Sequence, residues 1–211
     1  MNHQLPRAPM PALAACGVIA GTEAMADNAP QSTPYTQDWA NAGLITANDD
    51  WSAVPGVIGY LGDIDAGSPT NVDPRTLLLD YSTVSAIDVI ANQNSTTITN
   101  GGVAEFDGIA NPVVALQGSG GADAPHLLIF VDTTGRQNLR VRYNVRDIDG
   151  SADNSIQQVA LHYRVGNSGN FINVPAGYIA DATTGPSLAD LVTPIDATLP
   201  PEADNAPLVI L

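Results

Sequence analysis

The sequence has a single cysteine, Cys16, and no lysine among its 211 residues. One cysteine excludes a disulfide framework and a cysteine-built zinc site. All seven cations are arginines, and they face 22 acidic residues, which gives a net charge of −15. Because non-specific affinity for DNA depends on cations that neutralise phosphates, this balance argues against nucleic acid as a direct partner.

Histidine is also scarce, which limits the catalytic chemistry that the chain can offer. Only His126 and His162 lie beyond the N-terminal segment. Nucleophilic catalysis needs a base within hydrogen-bond reach of the nucleophile, and histidine is the usual one. The only Gly-Ser-Gly run, Gly118-Ser119-Gly120, favours a turn over a nucleophile elbow. We therefore expect a domain that is not an enzyme.

The N-terminus has the pattern of a bacterial export signal. Residues 8–21 are almost wholly apolar, and Ala24-Met25-Ala26 supplies the small-x-small motif of a cleavage site, so residues 1–26 are predicted to be a signal peptide. A lipid anchor through Cys16 is the alternative, because Leu13-Ala14-Ala15-Cys16 matches a lipobox. Either route predicts a secreted or cell-surface protein. No later run approaches the ~18 apolar residues of a transmembrane segment.

The remainder of the chain predicts an all-β domain over residues 34–211, after a flexible, polar lead at residues 27–33. Short apolar runs alternate with Gly, Asn, Asp and Pro clusters, and no stretch keeps an apolar period of 3.6 residues. About nine strands are expected, which fits a two-sheet antiparallel sandwich of jelly-roll type. They are Val57–Leu61, Thr76–Asp80, Ile87–Ala91, Val103–Phe106, Val113–Gln117, His126–Asp132, Asn138–Arg146, Gln157–Val165 and Leu208–Leu211.

Three segments carry further expectations. The unbroken apolar run Leu127–Val131 predicts a central strand covered on both faces. Residues 187–191 could form either a short helix or a loop. The apolar strand Leu208–Leu211 stops without a closing turn, so the domain is predicted to be truncated, with its C-terminal strand missing.

Two neighbouring strands alternate strictly between apolar and polar residues. Leu139, Val141, Tyr143 and Val145 share one face of the first strand, and Val159, Leu161, Tyr163 and Val165 share one face of the second.

If the two strands form a hairpin, Arg142 lies opposite His162 and Arg140 opposite Arg164. Like charges placed opposite one another are unfavourable. Two explanations stay open: carboxylates from a neighbouring strand, or an anionic ligand such as an acidic glycan bound by Arg140, Arg142, His162 and Arg164. For a sugar, Trp39, Trp51 and Tyr60 could supply stacking surfaces or could belong to the core.

The connection between those two strands is rich in hard oxygen donors. Asp147, Asp149, Asp153 and Asn154 surround Gly150, which lets the backbone curl around an ion. This pattern predicts a calcium site, although an Asp/Asn/Gly turn without an ion would look the same. Asn48-Asp49-Asp50 and Asp63-x-Asp65 are weaker candidates of the same kind.

Several segments resemble one family of modules. They are Thr46–Asp63, Gly101–Phe106, Asn111–Leu127, Tyr143–Asn167 and Pro175–Ala189. Together they are similar to a β-sandwich module of secreted bacterial proteins that is found ahead of extracellular nucleases of the endonuclease/exonuclease/phosphatase class. The resemblance implies an accessory module with a downstream catalytic domain. In that family the last strand continues into a turn and one more strand, and this chain lacks both.

The leading functional hypothesis is a non-catalytic exported module that positions or stabilises a partner enzyme, with a nuclease-like neighbour, or binds cell-surface material. The alternative is a stand-alone, calcium-dependent carbohydrate-binding or adhesion domain. The two differ in whether a catalytic domain adjoins the module.

Overall fold

A computed structural model of the chain describes residues 26–64, 72–93, 100–148, 156–182 and 188–211. The described residues form an all-β structure, as the alternating pattern predicts. Its strands are β1 (Gln31–Ser32), β2 (Val57–Tyr60), β3 (Ile90–Gln93), β4 (Gly102–Phe106), β5 (Val113–Gln117), β6 (His126–Asp132), β7 (Arg140–Val145), β8 (Val159–Val165), β9 (Ile172–Ile179), β10 (Thr193–Thr198) and β11 (Val209–Ile210). Single 3₁₀ turns occur at Pro74–Thr76, Tyr81–Thr83 and Pro201–Ala203.

The largest sheet has six strands and is organised around β6. Its order is β1-β6-β11-β8-β9, and β2 also pairs with β6. β2, β11 and β9 run antiparallel to their neighbours, whereas β1 is parallel to β6. The short C-terminal strand β11 thus joins β6 to β8, and its two residues are almost completely buried.

Both faces of β6 carry apolar side chains, as the unbroken run at Leu127–Val131 predicts. Leu128 and Phe130 point to one face together with Ile210, which is paired with Phe130. We call this the closed face, because the segment from residue 73 to residue 83 crosses it. Leu127, Ile129, Val131 and Val209 alternate onto the opposite face, which we call the cleft face.

Two smaller sheets lie over the cleft face. One has the order β3-β4-β5 and the other pairs β10 with β7. The β10–β7 pair places Ile195, Ala197, Val141 and Tyr143 against Val131, Leu161 and Val209 of the large sheet. Trp51 covers the cleft face beside β2, where a side chain at Gly59 would collide with its indole ring. β10 also packs beside β9, at the edge of the central sheet.

Some predicted elements need correction. The strand expected at Thr76–Asp80 is wrong: residues 74–76 form a 3₁₀ turn capped by Asp73, whose side chain accepts from the Arg75 amide. Part of the predicted flexible lead is strand β1. β9 and β10 were not predicted, because prolines and exposed polar residues interrupt their alternation. Among the described residues of 187–191, Leu188–Leu191 form a turn, and a helix is absent there.

The predicted hairpin between Asn138–Arg146 and Gln157–Val165 is also wrong. β7 pairs antiparallel with β10, and β8 pairs with β9 and β11. Arg142 lies opposite Asp196, Arg140 opposite Thr198, and His162 opposite Asn173. Strict alternation determines which side chains share a face of one strand, but it does not determine which strand lies alongside. The two segments therefore belong to different layers.

Candidate binding cleft

A wide cavity of about 1640 Å³ is lined by residues of β5, β6 and β7 and by the segments at residues 33–39 and 72–81. The part of it between β5 and β7, which we call the cleft, has Leu127 and Ile129 of β6 on its floor. Both floor residues are only half-buried, whereas Leu128 and Phe130 on the closed face are 6% and 8% exposed. The cleft is therefore a place where the outer layer leaves part of the central sheet uncovered.

Each wall of the cleft is the edge of a sheet. β5 pairs with β4 on one side, and β7 pairs with β10 on one side. Within the described ranges, no strand pairs with the other side of either one. An edge strand presents unpaired backbone amides and carbonyls, which can accept a further strand. The cleft thus has hydrogen-bonding groups on both walls and an apolar floor.

The β7 wall holds most of the positive charge of the protein. Six arginines lie in the described residues, and four of them line the cleft: Arg136, Arg140, Arg142 and Arg146. The arginines at 140 and 142 are exposed, with side-chain accessibilities of 51% and 65%. On a protein of net charge −15, four arginines in and beside one strand are a local concentration of cations, although Asp38, Asp80, Asp123 and Asp147 also line the cavity.

One carboxylate is shared by two of these arginines. Asp196 on the neighbouring strand β10 accepts from Arg140 Nε at 3.0 Å and Nη2 at 2.5 Å, and from Arg142 Nε at 3.1 Å. Desolvation opposes ionisation of Asp196, but the two guanidinium groups outweigh it and lower its pKa. A neighbouring carboxylate was one of the two solutions expected for the clustered arginines. A single carboxylate balances only one of the two positive charges.

Arg146 joins the two walls at one end of the cleft. Its Nη2 donates to the carbonyls of Ala110 and Asn111, at 3.0 and 2.7 Å, just before β5 begins. Its Nε is buried and has no partner among the described residues. The side chain therefore links the residue that follows β7 to the residues that precede β5.

Arg164 does not share this surface, so the predicted arginine face is wrong for it. The residue is 5% exposed and lies on the closed face, where Nη1 donates to Asp80 Oδ2 at 2.6 Å and to the Gly169 carbonyl at 3.2 Å. Its guanidinium also stacks 4.5 Å from the centre of the Phe171 ring. Arg164 therefore forms a structural ion pair with Asp80, which joins the segment around residue 80 to β8.

His162 lines the same cavity, but it lies on β8, which does not pair with the strand that holds Arg140 and Arg142. It follows the alternation of Arg164 on β8, and its Nε2 is buried without a partner among the described residues. Burial lowers the pKa of His162, and an interaction with the Arg75 backbone only partly offsets this. Burial also lowers the pKa of His126, whose Nδ1 lies 2.9 Å from the Ala124 carbonyl. At neutral pH the positive charge of the cleft therefore comes from arginine.

Of the three aromatic residues considered as sugar platforms, two belong to the core. Trp51 is fully buried and donates from Nε1 to the Asp88 carbonyl at 3.0 Å, and Tyr60 is 8% exposed. Trp39 is half-buried, lines the cleft and packs edge-on against Trp51. Its φ of 58° lies in the left-handed region, which bulky residues rarely adopt.

Tyr143 is the aromatic residue of the β7 wall. Burial raises its pKa to about 12, so its hydroxyl stays protonated.

The calcium prediction falls mostly outside the described residues. Asp149, Asp153 and Asn154 lie there, and Asp147 is buried at the end of β7. The weaker candidate at residues 48–50 is a turn: its side chains accept from the amides of Ala91, Val89 and Ser52. Asp65 of the Asp63-x-Asp65 candidate also lies outside. In the described ranges, no group of three or more His, Cys, Asp or Glu side chains could hold a metal ion.

No protein family, curated protein or solved structure matches the chain. The similarity to the secreted β-sandwich module therefore remains a prediction from the segments named above. Residues 1–25 of the predicted export signal, which include Cys16, lie outside the described residues. In the part of the chain that is described, none of the helices has the length and apolarity needed to cross a membrane.

Proposed function

We propose that the protein is a non-catalytic, exported binding module that holds an anionic partner in the cleft between β5 and β7. The observation that carries this proposal is the concentration of four of six described arginines on one wall of an otherwise acidic protein. Clustered guanidinium groups recognise carboxylates and similar anions through charge-assisted hydrogen bonds. The acidic remainder of the surface would repel other anions and so favour this one orientation.

The partner is either a neighbouring enzyme that the module positions or stabilises, or material of the cell surface. The first choice agrees with the resemblance to modules that precede extracellular nucleases. For such a module, we propose that the outer layer and the central sheet are the two halves of a jelly-roll sandwich. The second choice, an acidic glycan bound by a stand-alone domain, is favoured by Trp39 at the cleft. Calcium at Asp147–Asn154 would belong to this second choice.

Titration calorimetry with two anionic probes tests the proposal. The probes are a uronic-acid oligosaccharide and poly-L-glutamate, measured at low and at physiological salt. We expect at least one to bind, and the double variant Arg140→Ala/Arg142→Ala to bind it at least ~10-fold more weakly, a loss of about 1.4 kcal/mol. Higher salt should weaken binding to the wild type more than to the variant.

The matched control is Arg75→Ala. Arg75 is also a partly exposed arginine in an ion pair, with Asp73, but its side chain does not line the cavity, although Pro74 and Leu77 do. Its loss should leave the affinity unchanged. Absent binding of both probes, or equal weakening by Arg75→Ala, would overturn the proposal.

A further inference from the structure

The outer layer over the cleft face is interrupted by the width of the cleft. It consists of β10 and β7 on one side and of β5, β4 and β3 on the other. The two facing strands, β7 and β5, both line the cleft, and Arg146 spans from one to the other. The layer therefore resembles a sheet from which an internal strand is missing.

The residues beneath the cleft support this description. Five apolar side chains that belong to or border the apolar cores are only half-buried. They are Leu127 and Ile129 on the floor, and Val141, Tyr143 and Val145 on the inner side of β7. An apolar side chain that stays partly in contact with water gains free energy when a further apolar group covers it. These residues thus form an incomplete core that an apolar side chain could complete.

The outer side of the same cleft has a different chemistry. Arg140 and Arg142 alternate with Val141 and Tyr143 along β7, so the guanidinium groups point outward where the apolar side chains point inward. Asp196 lies on the other side of β7 and balances one charge of the two. A strand placed on the free edge of β7 would meet the remaining positive charge on its own outer face, where a carboxylate is favoured.

We propose that the cleft binds an extended segment of a partner protein as an added β-strand between β5 and β7, and that this segment alternates apolar and acidic residues. The apolar side chains pack on the floor at Leu127 and Ile129, and the acidic ones pair with Arg140 and Arg142. Backbone hydrogen bonds to the free edges of both walls provide affinity that does not depend on sequence. β7 has six residues and β5 has five, so the bound segment has about six residues in contact. This inference rests on the proposed function and specifies its partner.

Peptide binding followed by amide hydrogen exchange tests the inference. The probe is a peptide of about eight residues with alternating glutamate and valine, long enough to span β7. One comparison peptide has the same composition in two blocks, and another alternates lysine and valine. A third is the alternating glutamate peptide with its backbone amides methylated on one edge, which removes hydrogen bonds but keeps the side chains.

We expect the alternating glutamate peptide to bind and to slow amide exchange in Val113–Gln117 and Arg140–Val145. The other three peptides should bind at least ~10-fold more weakly, since each loses the charge match, the alternation or the backbone pairing. Arg140→Ala/Arg142→Ala should weaken binding of the alternating peptide similarly, while Arg75→Ala should not.

Each of the following results would overturn the inference. The alternating peptide fails to bind, its methylated form binds equally well, or exchange slows elsewhere than on the two edges. If the uronic-acid oligosaccharide binds through Arg140 and Arg142 while no peptide does, the proposed function stands and the strand partner is wrong. If the free protein self-associates with both edges already protected, the occupant is a second copy and the inference is also wrong.

Discussion

The two faces of the central sheet carry neighbouring residues of the same strand, β6, yet the side chains on one face are more fully covered than those on the other. On the closed face Leu128 and Phe130 are buried, and even the charged Arg164 is shielded from water and paired. On the cleft face Leu127 and Ile129 are half-buried, and the arginines of the covering strand are exposed. The groups on the closed face therefore stabilise the fold, whereas the groups on the cleft face are available to a partner.

Loss of Arg164 should have the largest effect. Arg164→Ala leaves Asp80 without its buried ion partner, and we expect a loss of ~3–5 kcal/mol in the free energy of unfolding. Urea denaturation followed by circular dichroism measures it. The double variant with Asp80→Ala should be less destabilised than the sum of the two single variants, because their effects overlap. Additive effects would mean that the pair is not a coupled ion pair.

Adjacent leucines on β6 allow a direct comparison of the two faces. Leu128→Ala should cost ~2–5 kcal/mol, as expected for a fully buried leucine, whereas Leu127→Ala should cost less than ~2 kcal/mol. The physical reason is that Leu127 already touches water in the cleft, so its truncation leaves little new cavity. Equal losses in the same denaturation experiment would show that the cleft face is closed.

Two carboxylates should give opposite dependences on pH. Burial raises the pKa of Asp80, but hydrogen bonds from Ser82 and Arg164 outweigh it and the net pKa is lowered. Its stabilising contribution is therefore present above its unfolded pKa of ~3.9 and is lost as pH falls through the lower folded pKa.

Glu105 has the opposite sign. Burial raises its pKa, and this effect is larger than the lowering by the hydrogen bond from the Asn92 amide. Its charge therefore opposes folding at neutral pH, and that penalty disappears as pH falls through the raised pKa.

The variants Asp80→Asn and Glu105→Gln test these signs. We expect Asp80→Asn to be less stable than the wild type at pH 7 and to lose less stability below about pH 4. Glu105→Gln should be at least as stable as the wild type at pH 7, with the difference shrinking as the pH is lowered. Denaturation curves between pH 3 and pH 7 measure both. A Glu105→Gln variant that is less stable at pH 7 would contradict the sign given for Glu105.

Removal of a cleft arginine should have the smallest effect on stability. Arg140→Ala breaks an exposed ion pair with Asp196, and we expect a change below about 1 kcal/mol in the free energy of unfolding. The loss of unfolding free energy in Arg140→Ala, compared with the loss in Arg164→Ala, is the clearest measure of the difference between the two faces. A loss as large as that of Arg164→Ala would assign Arg140 a structural role.

Much of the strand content could be predicted from the sequence. The patterns at residues 113–117, 126–132 and 140–145 identify strands, because apolar alternation or an unbroken apolar run is a local property. The partners of those strands depend on contacts between distant residues. Arg140 and Arg164 have the same alternation, and only the pairing with Asp196 on β10 or with Asp80 makes one exposed and the other buried.

The cleft itself was not predictable. It depends on two sheet edges, β5 and β7, that face each other without pairing, and no pattern within either strand indicates this. The four arginines between residues 136 and 146 were visible as a cluster. Their density on an acidic chain was the one signal in the sequence that pointed to this wall.

The accessibility of two introduced thiols tests the central claim that the cleft face is open. Leu127→Cys and Leu128→Cys are compared in a background with Cys16→Ser, which makes the introduced thiol the only one in the chain. We predict that a maleimide reagent labels Cys at position 127 much faster than at position 128, and that an anionic partner bound in the cleft slows only the former. Equally slow labelling at both positions in the free, folded protein would contradict the account.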